Sequence, residues 1–76
     1  MFIVEQSGTL TIKFSEIKDI GVRRDLRGIG RIEGHIKDDP RGYRFGEYDE
    51  YERGKEVYDE IINAMARNEF YRMPAE

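Results

Sequence analysis

The stretch Gly46–Asn68, GEYDEYERGKEVYDEIINAMARN, constrains the fold more than any other part of the chain, because it alone specifies a long element. Gly54, Val57, Tyr58, Ile61, Met65 and Asn68 recur at steps of three and four, while Glu52, Lys55, Glu56, Asp59, Glu60, Asn63 and Arg67 fall on the other side. This is an amphipathic helix with one buried and one wet face. Asp49 followed by Glu52 spells a D-x-x-E start: the Asp49 carboxylate accepts an orphan backbone N–H of the first turn, and Glu52 reaches back to the cap. The rest of the chain must pack on this helix.

What precedes it reads as strands. Phe2–Glu5 and Thr9–Phe14 are rich in β-branched and aromatic residues, and Gln6-Ser7-Gly8 between them has hairpin-turn chemistry. Ser15–Asp19 looks like a turn or a single helical turn, and Ile20–Arg24 follows as a strand. Asp25-Leu26-Arg27-Gly28 is a turn, and Ile29–Ile36 is a strand in which Gly30 and Gly34 allow a bulge or close backbone approach. Lys37–Gly42 is a turn, with Pro40 fixing φ and Gly42 tolerating a positive one, and Tyr43–Tyr48 is the last strand. After Asn68, Pro74 prevents further helix, and the apolar tail is expected to extend and close the helix back onto the sheet. The pattern predicts a single α+β domain over residues 1–76, an antiparallel β-meander of four or five strands packed on one C-terminal amphipathic helix.

Seventy-six residues are close to the size at which one core barely outweighs chain entropy, so a homo-oligomer is expected, with a second copy over the sheet face that the helix leaves bare. The absence of cysteine excludes disulfides and thiolate zinc sites and fits a reducing compartment. No apolar run approaches about 18 residues, and MFIVEQSG has neither a basic leader nor a long apolar stretch. A soluble cytoplasmic protein without membrane association is expected.

The net charge of −3 conceals a division. Residues 18–44 carry eight Lys/Arg against five Asp/Glu, whereas residues 45–76 carry four against nine. Within the basic part, Arg23, Arg24, Arg27, Arg31, Arg41 and Arg44 are interleaved with Tyr43. Guanidinium matches phosphate or carboxylate, and tyrosine can stack on a base. These seven residues are the candidate ligand-binding set, for a small anionic, nucleotide-type ligand. The competing reading is that the arginines balance the acidic helix of the same or a neighbouring copy. A long double-stranded DNA is a poor partner for a chain that is negative as a whole.

Catalytic and metal readings find little support. Gly28-Ile29-Gly30-Arg31-Ile32-Glu33-Gly34 has its third glycine one place late for a dinucleotide fingerprint, and no long helix follows. His35, Asp38 and Asp39 sit in and beside a Pro-Gly turn, where aspartate serves the backbone. Ser7 and Ser15 have no acid or base at motif spacing. No catalytic residues, metal ligands or cofactor are assigned, and a non-enzymatic protein is expected.

Gly46-Glu47-Tyr48, Glu52-Arg53-Gly54-Lys55-Glu56-Val57, Glu60-Ile61-Ile62-Asn63-Ala64 and Phe70-Tyr71-Arg72-Met73-Pro74 resemble a group of small, mostly uncharacterised proteins of Gram-positive bacteria and their phages, which end in a GEY…ERAKEVL.EI…(F/Y)Y.MP pattern. The resemblance covers the first hairpin and the last thirty residues and is loose across Asp25–Gly42. This chain has Gly54 where the group usually has alanine. Because glycine weakens a helix by about 0.5–1 kcal/mol, Gly54 points to close approach of a strand or second chain. The resemblance implies a β-meander with a helix and a phage setting, in which a sponge-type anti-defence protein would hold a nucleotide immune signal. The alternative is a protein-interaction module or inhibitor that docks on a host protein through its acidic helix face (Glu52, Glu56, Asp59, Glu60) or a sheet edge.

Overall fold

The computed structural model describes all 76 residues. Strands β1 (Phe2–Val4) and β2 (Thr11–Lys13) lead through a 3-10 turn at Phe14–Glu16 into β3 (Ile17–Arg24), β4 (Gly30–Ile36) and β5 (Gly42–Tyr48). Helix α1 (Tyr51–Arg67) and a two-residue strand β6 (Tyr71–Arg72) complete the chain. The protein is α+β, with strands packed against a single C-terminal helix. The strands divide between two three-stranded sheets, ordered β2-β1-β6 and β3-β4-β5, and the second is an antiparallel meander. β6 runs parallel to β1, with Ile3 opposite Tyr71, and the Met73 N–H donates to the Val4 carbonyl at 3.0 Å. The tail thus closes the helix onto the first sheet.

The two sheets meet at Gln6. Its backbone N–H donates to the Phe45 carbonyl at 3.2 Å, and its side-chain amide accepts from the Glu47 N–H at 2.6 Å and donates to the Glu47 carbonyl at 2.7 Å. One glutamine therefore satisfies the outer edge of β5 much as a neighbouring strand would. β3 is the other edge of its sheet.

Ile3, Ile17, Ile32, Phe45, Tyr48, Val57, Ile61 and Met73 form the core, so that both sheets, the helix and the tail each contribute. Val57 and Ile61 are fully buried, each stabilising by about 1.5–3 kcal/mol. Along α1 the buried positions are Gly54, Val57, Ile61 and Ala64. Tyr58 and Met65 lie on the flank of that stripe and are half-buried. Asn68, placed with the stripe by periodicity, is instead the left-handed C-cap (φ 53°), with the Glu69 N–H donating to the Ala64 carbonyl at 2.9 Å.

The helix start differs from the D-x-x-E reading. Glu50 is the N-cap and makes no side-chain capping bond. The ladder ends where Tyr48 pairs with Gly30, the chain bends at Asp49, and the extended residue before the first helical turn is Glu50. β3 likewise begins at Ile17, three residues before the expected strand, because Ile17 pairs with Ile36 and is buried. In the turn before β5 the positive φ falls on Asp38 (64°), not on Gly42.

Gly54 does mark a close approach. A Cβ there would stand 3.1 Å from the Gly30 Cα and 3.4 Å from Val22 Cγ2, and a Cβ on Gly30 would stand 3.0 Å from the Tyr51 Cα. Helix and strand backbones touch at this glycine pair. Gly34 has no room either, because a Cβ would run into the Asp19 carbonyl of β3.

Candidate functional site

Pairing register decides where the arginines go. On the face of β3-β4-β5 turned away from α1, Arg31 of β4 stands opposite Arg23 of β3 and Glu47 of β5. Glu33 stands opposite Gly21 and Arg44, and His35 opposite Asp19 and Gly42. An irregularity between Ile32 and Glu33 gives β5 one extra residue, Phe45. The extra residue is what puts both Arg44 and Glu47 against β4 on this face. Arg23, Arg31 and Arg44 therefore come together.

They come together with their counter-charges. Arg23 Nε donates to Glu33 Oε1 at 3.0 Å, and Arg31 bridges Glu47 at 3.2 Å and Asp25 at 3.3 Å. Arg44 donates to Glu47 at 3.2 Å and lies 3.9 Å from Glu33, while His35 Nδ1 is 2.9 Å from Asp19. The Arg23 guanidinium holds the Glu33 carboxyl below the usual carboxylate range. At Asp25 burial works against the charge, but the Ile29 and Arg27 N–H groups and the Arg31 and Arg27 guanidinium groups still hold the carboxyl low. Arg31 is the most covered of the three, its side chain 19% exposed. The face is a lattice of alternating charge over a shallow depression bordered by Gly21 and Gly42. Ile20, Val22 and Tyr43 also border that depression.

Of the other four candidates, Tyr43 borders that depression but turns its side chain away, and the three arginines lie elsewhere. Arg24 is on the helix side, its guanidinium carbon 4.6 Å from the Tyr51 ring centre and its Nη2 3.8 Å from Glu52. Arg27 is in the 25–28 turn, 3.6 Å from Asp25, and Arg41 is in the turn before β5, 3.2 Å from Asp39. Tyr43 points to the inner side, where its hydroxyl donates to Glu5 and its ring stands edge-on to Phe45 at 4.9 Å. Burial first, and then Glu5, push the Tyr43 phenol up to about 12. The seven residues do not share one pocket.

The acidic helix face is also partly occupied. Lys55 Nζ binds Asp59 at 2.8 Å, and the Tyr71 hydroxyl donates to Glu60. A second groove runs between the end of β5, the start of α1 and the tail, and collects Glu47, Asp49, Glu50, Glu52, Glu56 and Glu76 around a single cation, Arg53. Its floor is Tyr48, 2% exposed, whose hydroxyl donates to the Pro74 carbonyl at 2.7 Å. Arg53 is held by two bonds to the Glu76 carbonyl, at 2.9 and 3.1 Å, and stands 3.8 Å from Glu56. Asp49 and Glu50 have no cation within 4.0 Å. Sequence reasoning missed these two, although Glu47–Glu52 holds four acids in six residues, because it assigned Asp49 to the helix cap and gave Glu50 no role.

No group of three or more His, Cys, Asp or Glu side chains is arranged to hold a metal ion, and no helix is long and apolar enough to cross a membrane. Comparison with family models, with curated proteins and with solved structures gives no match.

Proposed function

We propose that this protein is a non-catalytic protein-binding module whose acidic groove receives a basic segment of a partner protein. The observation that carries this reading is an asymmetry of pairing. All six candidate arginines have a carboxylate of the same chain within 4.0 Å, whereas Asp49 and Glu50 have no cation and Glu52 and Glu56 have only one at 3.8 Å. A phosphate arriving at Arg23, Arg31 and Arg44 would meet Asp19, Glu33 and Glu47 beside them, so that no net positive charge draws it in. Exposed ion pairs contribute at most about 1 kcal/mol each and could open, but their carboxylates would remain and repel the anion. A lysine- or arginine-rich segment entering the groove meets Asp49 and Glu50, which have no cation, beside Glu52 and Glu56, which have one each at 3.8 Å, while Glu47 is already bound by Arg31 and Arg44. Such complementarity steers encounter and fixes register. In the phage setting that the family resemblance implies, the partner is a host protein.

The test is capture from host lysate by three proteins: wild type, a groove variant (Asp49→Asn, Glu50→Gln, Glu52→Gln) and a charge-matched control (Glu16→Gln, Asp38→Asn, Glu69→Gln). A stoichiometric partner kept by wild type and control, and bound at least about tenfold more weakly by the groove variant, supports the reading. Equal loss in both variants refutes the groove. A nucleotide released from the purified protein on heating, with no protein partner, replaces the reading with signal capture.

A further inference from the structure

The two edges of the β3-β4-β5 sheet are treated differently. Gln6 closes the edge of β5, while β3 presents eight residues whose only strand partner is β4. Open edges of this length are normally blunted, because they template pairing with another chain. Here the bulge at Lys18 disrupts only the beginning of the strand and leaves Asp19–Arg24 regular.

We propose that this edge pairs antiparallel with the same edge of a second copy, about a two-fold axis through Gly21, to make a continuous six-stranded sheet. In that register Asp19 faces Arg23 of the partner subunit on the charged side of the sheet, extending the contacts that Asp19 makes with His35 and Arg23 with Glu33 in each copy, and the relation occurs twice by symmetry. On the helix side Ile20 faces Val22 of the partner subunit, again twice. Both apolar residues are half-buried in one copy. Gly21 falls on the axis, and a Cβ there would have nothing within 4 Å, so nothing within one copy requires a glycine at this point of a regular strand.

The neighbouring symmetric registers match poorly. Moving the axis to Val22 sets Asp19 against Asp25 of the partner subunit and Ile20 against Arg24 of the partner subunit. Moving it to Ile20 sets Lys18 against Val22 of the partner subunit and Arg23 against Ile17 of the partner subunit. Only the Gly21 register joins opposite charges on one face and apolar side chains on the other. Its one like-charge juxtaposition, Lys18 with Arg24 of the partner subunit, is relieved because Lys18 is in the bulge and Arg24 is held by Glu52 and Tyr51.

The axis is normal to the sheet, so the two helices lie on the same side. The helix flank nearest β3, marked by the Arg24–Tyr51 contact, continues through Tyr58 to Ile62, which is 38% exposed, and faces the seam. The acidic groove lies beside β5, at the opposite edge, and touches this pairing only through Glu52, which also holds Arg24.

The experiment is light scattering across a concentration series, with circular dichroism confirming that each variant is folded. Wild type, at 9.0 kDa per chain, is expected to give a mass of about twice that value. Asp19→Arg alone and Arg23→Asp alone each place like charges opposite one another at two symmetric sites, and each should weaken the dimer by roughly tenfold to a hundredfold. Mixing the two single variants restores opposite charges throughout and should restore the dimer, as should the double exchange in one chain. A wild type that stays monomeric at high micromolar concentration overturns the proposal. So does a dimer that both single reversals leave intact, or one that mixing fails to restore.

Discussion

Gly54→Ala would test whether the helix is held where the backbones touch. Alanine in place of a helix-interior glycine gains about 1 kcal/mol from propensity alone. The new methyl, however, would lie 3.1 Å from the Gly30 Cα, 3.3 Å from the Gly30 carbonyl carbon and 3.4 Å from Val22 Cγ2, inside the roughly 3.5–4.0 Å optimum for carbon pairs. Two of these neighbours are strand backbone and cannot rotate away, so α1 must lift by several tenths of an ångström, loosening Val57 and Ile61 behind it. Overpacking of this kind costs about 1–3 kcal/mol, and the balance is a net loss of about 1 kcal/mol. For a domain of this size that lowers the thermal midpoint by roughly 4–8 °C. Gly30→Ala has no helix propensity to gain and meets the Tyr51 Cα, the Glu50 carbonyl and the Gly54 Cα at 3.0–3.2 Å, so its loss should be larger, about 2–3 kcal/mol. Gly42→Ala is the control, since nothing lies within 4 Å of its Cβ position and its φ is not positive, and it should stabilise by about 0.4–1 kcal/mol. Thermal and urea melts followed by far-ultraviolet circular dichroism measure all three. If Gly54→Ala and Gly30→Ala raise the midpoint as Gly42→Ala does, the glycine contact does not hold the helix.

Three further outcomes are expected. Gln6→Ala removes both side-chain bonds to Glu47 and leaves the β5 edge unsatisfied, at about 1–3 kcal/mol by urea unfolding; an unchanged midpoint would show that water replaces the amide at no cost. Glu33, Asp25 and Asp39 have folded-state pKa values held below the unfolded range, so their stabilisation is present above about pH 4.5 and is lost as pH falls through the lower folded values. Arg23→Gln should flatten the acid limb of stability against pH by releasing Glu33, and an unaltered limb would refute that pairing. At the other extreme Tyr43 and Tyr48 are raised to about 12, so stability present below about pH 10 is lost as pH rises toward 12; tyrosinate absorbance from either residue near pH 10 in the folded protein would contradict their burial.

The sequence showed what is local and hid what depends on register. The period of Val57, Ile61 and their neighbours specified the helix, and Gly54 announced a close approach without saying that Gly30 was the other side of it. The Asp49 capping signal failed because the helix begins one residue later, behind an extended Glu50. The division into two sheets was not readable, since it depends on a parallel contact between the first and last strands and on the Gln6 side chain, neither of which has a sequence signature. The arginines were visible but their sides were not. Adjacent Arg23 and Arg24 go to opposite faces, and the extra Phe45 decides that Arg44 and Glu47 share the face of Arg31. The competing reading, that the arginines balance acids, matches the pairing within one copy, although the acids are mostly Glu33, Glu47, Asp25 and Asp39 and not those of the helix.

The most direct measurement of the contrast between the engaged sheet arginines and the unpaired Asp49 and Glu50 is a two-ligand titration of the labelled protein by nuclear magnetic resonance. A lysine- and arginine-rich peptide should shift the Asp49–Glu56 amides in a salt-sensitive manner, while cyclic oligonucleotides and ADP-ribose leave the Nε–H signals of Arg23, Arg31 and Arg44 in place. Movement of those arginine signals at micromolar nucleotide, with the Asp49–Glu56 amides indifferent to the peptide, would contradict the account.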